Sequence, residues 1–229
     1  MPVTNNSNPI PEAEVAPIVA ENEVPVVEHL NTEPIAHAET PVQSEGVLHG
    51  LSSAELNDPN SIRVTISDHN APLVILFGPP ACGKTMTLVR MTRFLQAEGY
   101  TVSPIRTFRP TSDTNYVDIC EHFDERMNSD NAAASTDRIS FMLVEVIKNG
   151  HRICQILEAP GEYYFNPKKP NAQFPNYVNT IISSQNRKVW TIMVEPDWMD
   201  QTDRANYVSK ISRLKQQMRP KDSAVFVFN

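Results

Sequence analysis

The first 60 residues contain no lysine or arginine and no phenylalanine, tyrosine or tryptophan. A stretch without aromatic anchors, carrying ten acidic residues and eight of the chain's nineteen prolines, cannot bury enough apolar surface to offset its ordering entropy. Residues 1–58 therefore read as a disordered, acidic Pro/Glu/Val-rich arm, a linker or an interaction tail. The arm also lacks a basic segment followed by a continuous apolar run, which argues against a secretory leader. No run reaches membrane-spanning length, so the expected location is cytoplasmic. Cysteine is scarce: Cys82, Cys120 and Cys154 are too few and too scattered for a disulfide framework or a paired-ligand zinc site. Histidine shows no metal spacing, and His29, His37 and His49 fall in the arm. No basic patch interleaved with aromatics surrounds Trp190 or Trp198, so both read as packing residues and no nucleic-acid partner is indicated.

The remaining 169 residues differ in kind, carrying 20 basic against 17 acidic side chains. The formal charge of −7 thus describes the arm and not the body. Ile62–Ser67 alternates like a short strand, and Leu73–Phe77, bounded by Pro72 and Gly78, reads as a buried parallel strand. Lys84 to Glu98 has helical spacing, with Leu88, Met91 and Leu95 on one side and Gly99 as the stop. A short strand over Tyr100–Ile105, a loop over Arg106–Asn115 and a helix over Tyr116–Met127 follow. Phe141–Ile147 and His151–Leu157 are strand-like segments joined by Lys148-Asn-Gly150, and Asn-Gly favours a tight hairpin because both residues tolerate positive φ. A helix near Asn176–Ser184, a buried strand Val189–Val194, an amphipathic helix Asp203–Met218 and a buried strand Ala224–Phe228 complete the reading. Glu195-Pro-Asp197 reads as a loop or helix cap rather than an acid pair. The alternation predicts a three-layer α/β domain over 59–229, with a mostly parallel sheet and one antiparallel strand.

Between the first buried strand and the first long helix lies Gly78-Pro-Pro-Ala-Cys-Gly-Lys-Thr85, matching G-x-x-x-x-G-K-[ST] in the strand–loop–helix setting that this P-loop motif requires. Gly78 and Gly83 permit backbone that a side chain would forbid. The amides converge on phosphate oxygens at a helix N-terminus. Pro79 and Pro80 have no N–H, so the donors run from Ala81 and Cys82 through Gly83 and Lys84 to Thr85 and Met86. Lys84 would reach the β- and γ-phosphates and the Thr85 hydroxyl would bind Mg²⁺. The expected ligand is GTP or ATP. Cys82 serves as a small neutral filler, its thiol expected to be exposed when the loop is empty.

On these motifs residues 73–229 resemble the P-loop GTPases of the Ras-like and translation-factor kind. In that family a threonine precedes an antiparallel hairpin whose second strand delivers Asp-x-x-Gly beside the γ-phosphate. Here Thr136 precedes the hairpin and Glu158-Ala-Pro-Gly161 ends it. The resemblance implies that Thr136 completes the Mg²⁺ shell, that Glu158 holds the metal through water and that the Gly161 N–H bonds a γ-phosphate oxygen. It implies a molecular switch that binds and hydrolyses GTP and engages a protein partner through its switch loops or arm. Three departures stand out. Glu158 is one methylene longer than the usual Asp. Glu162 occupies the position of the water-orienting residue, which implies slow hydrolysis. An insertion over about 106–137 separates Lys84 from Thr136, leaving Thr107, Thr111 and Thr114 as rival switch threonines. Asn229 is either the first residue of a base-reading Asn-Lys-x-Asp motif in a domain lacking its C-terminal end, or an unrelated asparagine.

Two other classes compete. Val102–Pro110 with Tyr116 loosely resembles the acceptor segment of guanylate kinases, with Arg106 and Arg109 clamping a nucleoside monophosphate. A non-catalytic nucleotide-binding scaffold is the third.

Overall fold

The computed structural model describes residues 51–128, 141–164, 172–194 and 201–228, all within one compact unit, Ser44–Asn229. The arm up to residue 50, Thr136 with the end of the 106–137 insertion, Glu195-Pro-Asp197, Trp198, Asn229 and the Glu162 side chain lie outside the described residues.

Six strands form one sheet: β1 (Leu73–Phe77), β2 (Thr101–Pro104), β3 (Met142–Lys148), β4 (His151–Glu158), β5 (Lys188–Val194) and β6 (Ser223–Phe228), in the order β2-β3-β4-β1-β5-β6. β3 runs antiparallel to both neighbours, and the other ladders are parallel. β1 is apolar throughout because it is central. Leu73 aligns with Gln155 on one side and Lys188 on the other, and Ile75, Leu76 and Phe77 are fully buried, so both faces of the sheet are covered there. The β3–β4 turn is the expected two-residue hairpin. Asn149 and Gly150 adopt φ of 53° and 76°, and Lys148 pairs with His151.

Seven helices accompany the sheet among the described residues: α1 (Ser53–Asn57), α2 (Lys84–Ala97), α3 (Thr114–Glu121), α4 (Phe123–Asn128), α5 (Gly161–Tyr164), α6 (Asn176–Ser183) and α7 (Gln201–Gln217). α2 ends as its sequence directs. The Tyr100 N–H reaches back to Leu95 O at 2.9 Å and the Gly99 N–H to Gln96 O at 3.0 Å, a closure that needs the left-handed residue Gly99 supplies. A phenylalanine-centred core joins the layers, with Phe77 edge-on to both Phe174 and Trp190. No helix among the described residues is long and apolar enough to cross a membrane.

Four sequence expectations change. The ordered body begins before 59: Leu51 is buried, Ser52 caps α1 through a reciprocal bond with Glu55, and Glu55 pairs with Arg109. Ile62–Ser67 has Ile62 and Ile66 buried, yet it forms no strand; the Thr65 N–H bonds Phe108 O instead. The Tyr116–Met127 helix breaks at His122 into α3 and α4. β6 is not buried. It is an edge strand with Val225 at 50%, Phe226 at 52% and Phe228 at 73% exposure.

Candidate functional site

At the carboxyl end of β1 the chain turns through the Gly78–Thr85 loop into α2. Two residues there take left-handed backbone, Ala81 at φ 61° and Gly83 at φ 87°. Gly83 is the N-cap of α2 and has no side chain to cap it. The first bond along the helix is Thr87 N–H to Gly83 O, at 2.9 Å. The amides of Lys84, Thr85 and Met86 therefore precede the intrahelical ladder, in the position where a helix presents its partial positive charge.

Lys84 is buried and lies along the inside of the loop, donating to Pro79 O at 2.6 Å, with Cys82 Sγ 3.9 Å from its nitrogen. The Cys82 thiol is itself buried, at 3% exposure, which corrects the expectation that it would be open to solvent with nothing bound. The loop folds its small side chain inward beside the lysine stem.

Glu158, at the end of β4, is 2% exposed and sits between two donors from distant parts of the chain. The Thr85 hydroxyl donates to Oε1 at 3.2 Å and the Phe141 N–H to Oε2 at 2.6 Å. The β1–β4 ladder sets this meeting by aligning Leu76 with Glu158, so the last residue of β4 lies beside the root of the loop. Three residues on, Gly161 lies against the loop backbone. A methyl group there would come within 2.4 Å of the Pro79 carbonyl carbon and 2.5 Å of the Pro80 nitrogen. Lys84, Thr85, Glu158 and Gly161 thus gather around one loop.

The two arginines of the rival monophosphate-clamp reading go elsewhere. Arg109 is 3% exposed and uses its guanidinium internally, on Asp113 Oδ2 at 2.8 Å, Glu55 Oε1 at 2.7 Å and Arg63 O at 2.9 Å, with its plane over the Phe141 ring at 5.1 Å. Burial pushes the Glu55 carboxyl up, but the Ser52 N–H and the Arg109 guanidinium outweigh it and hold it below the usual carboxylate range. Arg106 is exposed, 3.7 Å from Glu121. Of the rival threonines, Thr107 has its hydroxyl 3.4 Å from that of Ser67, Thr111 lies in an exposed turn, and Thr114 opens α3.

One participant has no signature in the sequence. Phe141 reaches Glu158 through its main chain, at φ 72°, and nothing about a phenylalanine before an apolar strand announces left-handed backbone. No protein family, curated protein or solved structure matches this chain.

Proposed function

We propose that the Gly78–Thr85 loop is a P-loop that binds a nucleoside triphosphate with Mg²⁺, and that the domain works as a GTPase-like switch. The observation that carries this reading is the bridge from the Thr85 hydroxyl to the Glu158 carboxylate, 3.2 Å long, joining the start of α2 to the end of β4. A motif match alone is a short string. A buried acid brought to the hydroxyl of that motif's last residue is an independent feature of the fold.

Mg²⁺ takes oxygen ligands and keeps several waters, so one hydroxyl and one carboxylate beside a triphosphate form a donor set of the right kind. When bound, the metal would neutralise charge on the β- and γ-phosphates. The chain's own residues do the rest. Lys84 exchanges the Pro79 carbonyl for phosphate oxygens, and the amides from Ala81 to Met86 cradle the anion. Gly161 lies on the Pro79–Pro80 backbone, and in this reading its N–H would bond a γ-phosphate oxygen. The acid's extra methylene relative to Asp lets Glu158 touch Thr85 directly. The kinase reading loses support because the Arg109 guanidinium is committed to Glu55, Asp113 and Arg63.

Calorimetry of GTP and ATP binding in Mg²⁺ tests the proposal. Lys84→Ala is expected to lower affinity at least about a hundredfold, the scale of losing charge-assisted bonds to phosphate. Undiminished affinity would overturn the site assignment. Phosphate release by the parent chain would mark it as a hydrolase, and binding without turnover would mark it as a scaffold.

A further inference from the structure

Phe141 is 1% exposed and holds a backbone conformation that bulky side chains rarely adopt. Such a residue persists only where its surroundings over-determine it. Here they do. Its ring meets Phe108 at 5.3 Å and Tyr177 at 5.2 Å, both edge-on, and the Arg109 guanidinium covers it. Arg109 is in turn fixed by Glu55 and Asp113. The next residue, Met142, is paired with Glu158 in the β3–β4 ladder. Phe141 does not extend that ladder; its peptide turns so that the N–H meets the Glu158 carboxylate at 2.6 Å.

Resting on the P-loop reading, we propose that Phe141 is a positioning residue for metal binding: its main-chain N–H tethers one oxygen of Glu158 so that the other faces Thr85. The chemistry explains why a tether is needed. A glutamate has one more rotatable bond than an aspartate, so its carboxylate loses more freedom when held beside a ligand. A backbone N–H bonded to a carboxylate is short, charge-assisted and directional. It leaves the second oxygen to the Thr85 hydroxyl or to the cation that would replace the hydroxyl proton's contact. The aromatic and guanidinium clamp on the ring is therefore part of the metal site although it touches no ligand.

The full chain, labelled with ¹⁵N, is titrated with Mn²⁺ alone while amide broadening is followed, and nucleotide affinity is measured separately in EDTA. In the parent, the amides of Thr85, Phe141 and Gly161 are expected to broaden first, and Glu158→Gln is expected to abolish the response. In Phe141→Ala the Mn²⁺ midpoint should rise about tenfold, the usual scale for losing a group that orients a metal ligand. Its nucleotide affinity in EDTA should stay within about twofold, since the phosphate cradle is untouched. A Mn²⁺ midpoint unchanged in Phe141→Ala overturns the proposal. Should that variant fail to fold, the parent decides. The Phe141 amide, bonded to a carboxylate, is expected far downfield and should move upfield in Glu158→Gln, and an unshifted amide overturns the tether. No Mn²⁺ response in the parent with nucleotide affinity intact overturns this inference alone. Absent nucleotide affinity with the Mn²⁺ response and its Phe141 dependence intact overturns the nucleotide reading instead and leaves the tether standing.

Discussion

The two ends of the sheet handle buried polar groups in opposite ways. At the carboxyl ends of β1 and β4, Lys84 donates to the Pro79 carbonyl and Glu158 accepts from the Thr85 hydroxyl and the Phe141 amide, amid left-handed backbone at Ala81, Gly83 and Phe141. At the amino ends, the donors are spent on fixed acceptors. The Asn186 amide spans Asp68 O and Ala71 O at 2.7 Å each, and Gln155 adds a bond to Asp68 O at 3.0 Å. Lys188 donates to Ser184 O at 2.7 Å, and Asp222 accepts the N–H groups of Lys188 and Arg219. The Asn70 N–H holds the Asp68 carboxyl below its ordinary range against the pull of burial, helped by Ala71 and Arg152. One end holds its partners through fixed bonds; under the proposed reading the other would exchange its contacts for a ligand. Bonds that lock strand starts together contribute stability, whereas contacts at a ligand site must be weak enough to trade.

The largest effect is expected at the end that keeps its partners. Asn186→Ala removes one donor from each of two carbonyls at a fully buried position, leaving the Gln155 amide to serve both Asp68 O and Ala71 O. Losing these buried bonds costs about 1–3 kcal/mol. In a domain of this size each kcal/mol lowers Tm by about 2–4 °C. Thermal unfolding should record the drop while nucleotide affinity per folded molecule stays unchanged. A loss confined to affinity would reverse the contrast between the two ends.

Gly161→Ala acts at the other end. The added methyl collides with the Pro79 and Pro80 backbone, which is not the yielding tip of a side chain. Overpacking of this kind costs about 1–3 kcal/mol where nothing yields. A small displacement of the loop against α5 would accommodate the methyl, so stability should fall by the lower figure, about 1 kcal/mol. The cost is expected to move to the ligand: GTP affinity in Mg²⁺ should drop about tenfold, equivalent to about 1.4 kcal/mol. Calorimetry beside urea unfolding separates the two. Equal losses in both would mean that Gly161 is packing only.

Where the sequence was readable, the determinants were local. Asn149-Gly150 dictated its turn by backbone tolerance alone, and Leu73–Phe77 announced a central strand because an unbroken apolar run fits only a strand covered on both faces. The meeting of Thr85 with Glu158 rests on the β1–β4 pairing, which the structure supplies. What was hidden depended on partners far along the chain. Leu51 and α1 look like the end of the acidic arm until Glu55 finds Arg109, 54 positions away. That same pairing removes Arg109 from any ligand. β6 has an apolar sequence and reads as buried, yet burial follows from neighbours, and β6 lies at the edge of the sheet. Phe141 hides most completely, because its contribution is a main-chain N–H aimed by a φ that tertiary packing imposes.

A further effect is a dependence on pH at the end that keeps its partners. Burial lowers the Lys188 pKa to about 8, with the charges of Arg219 and Lys221 pushing the same way and Asp222 opposing them. In the unfolded chain the same lysine titrates near its ordinary value of about 10.4. Between these two values the unfolded state holds a proton that the folded state has released, so stability rises with pH across the window from about 8 to 10.4. Below it both states are charged and the folded chain carries the full cost of a buried ammonium. Urea midpoints of the parent and Lys188→Met should therefore converge on different trends, the parent gaining on the variant as pH climbs from about 8 to 10. Parallel curves would mean that Ser184 O and Asn186 O solvate the ammonium as well as water does, and that the fixed partners at this end of the sheet carry no stored electrostatic cost.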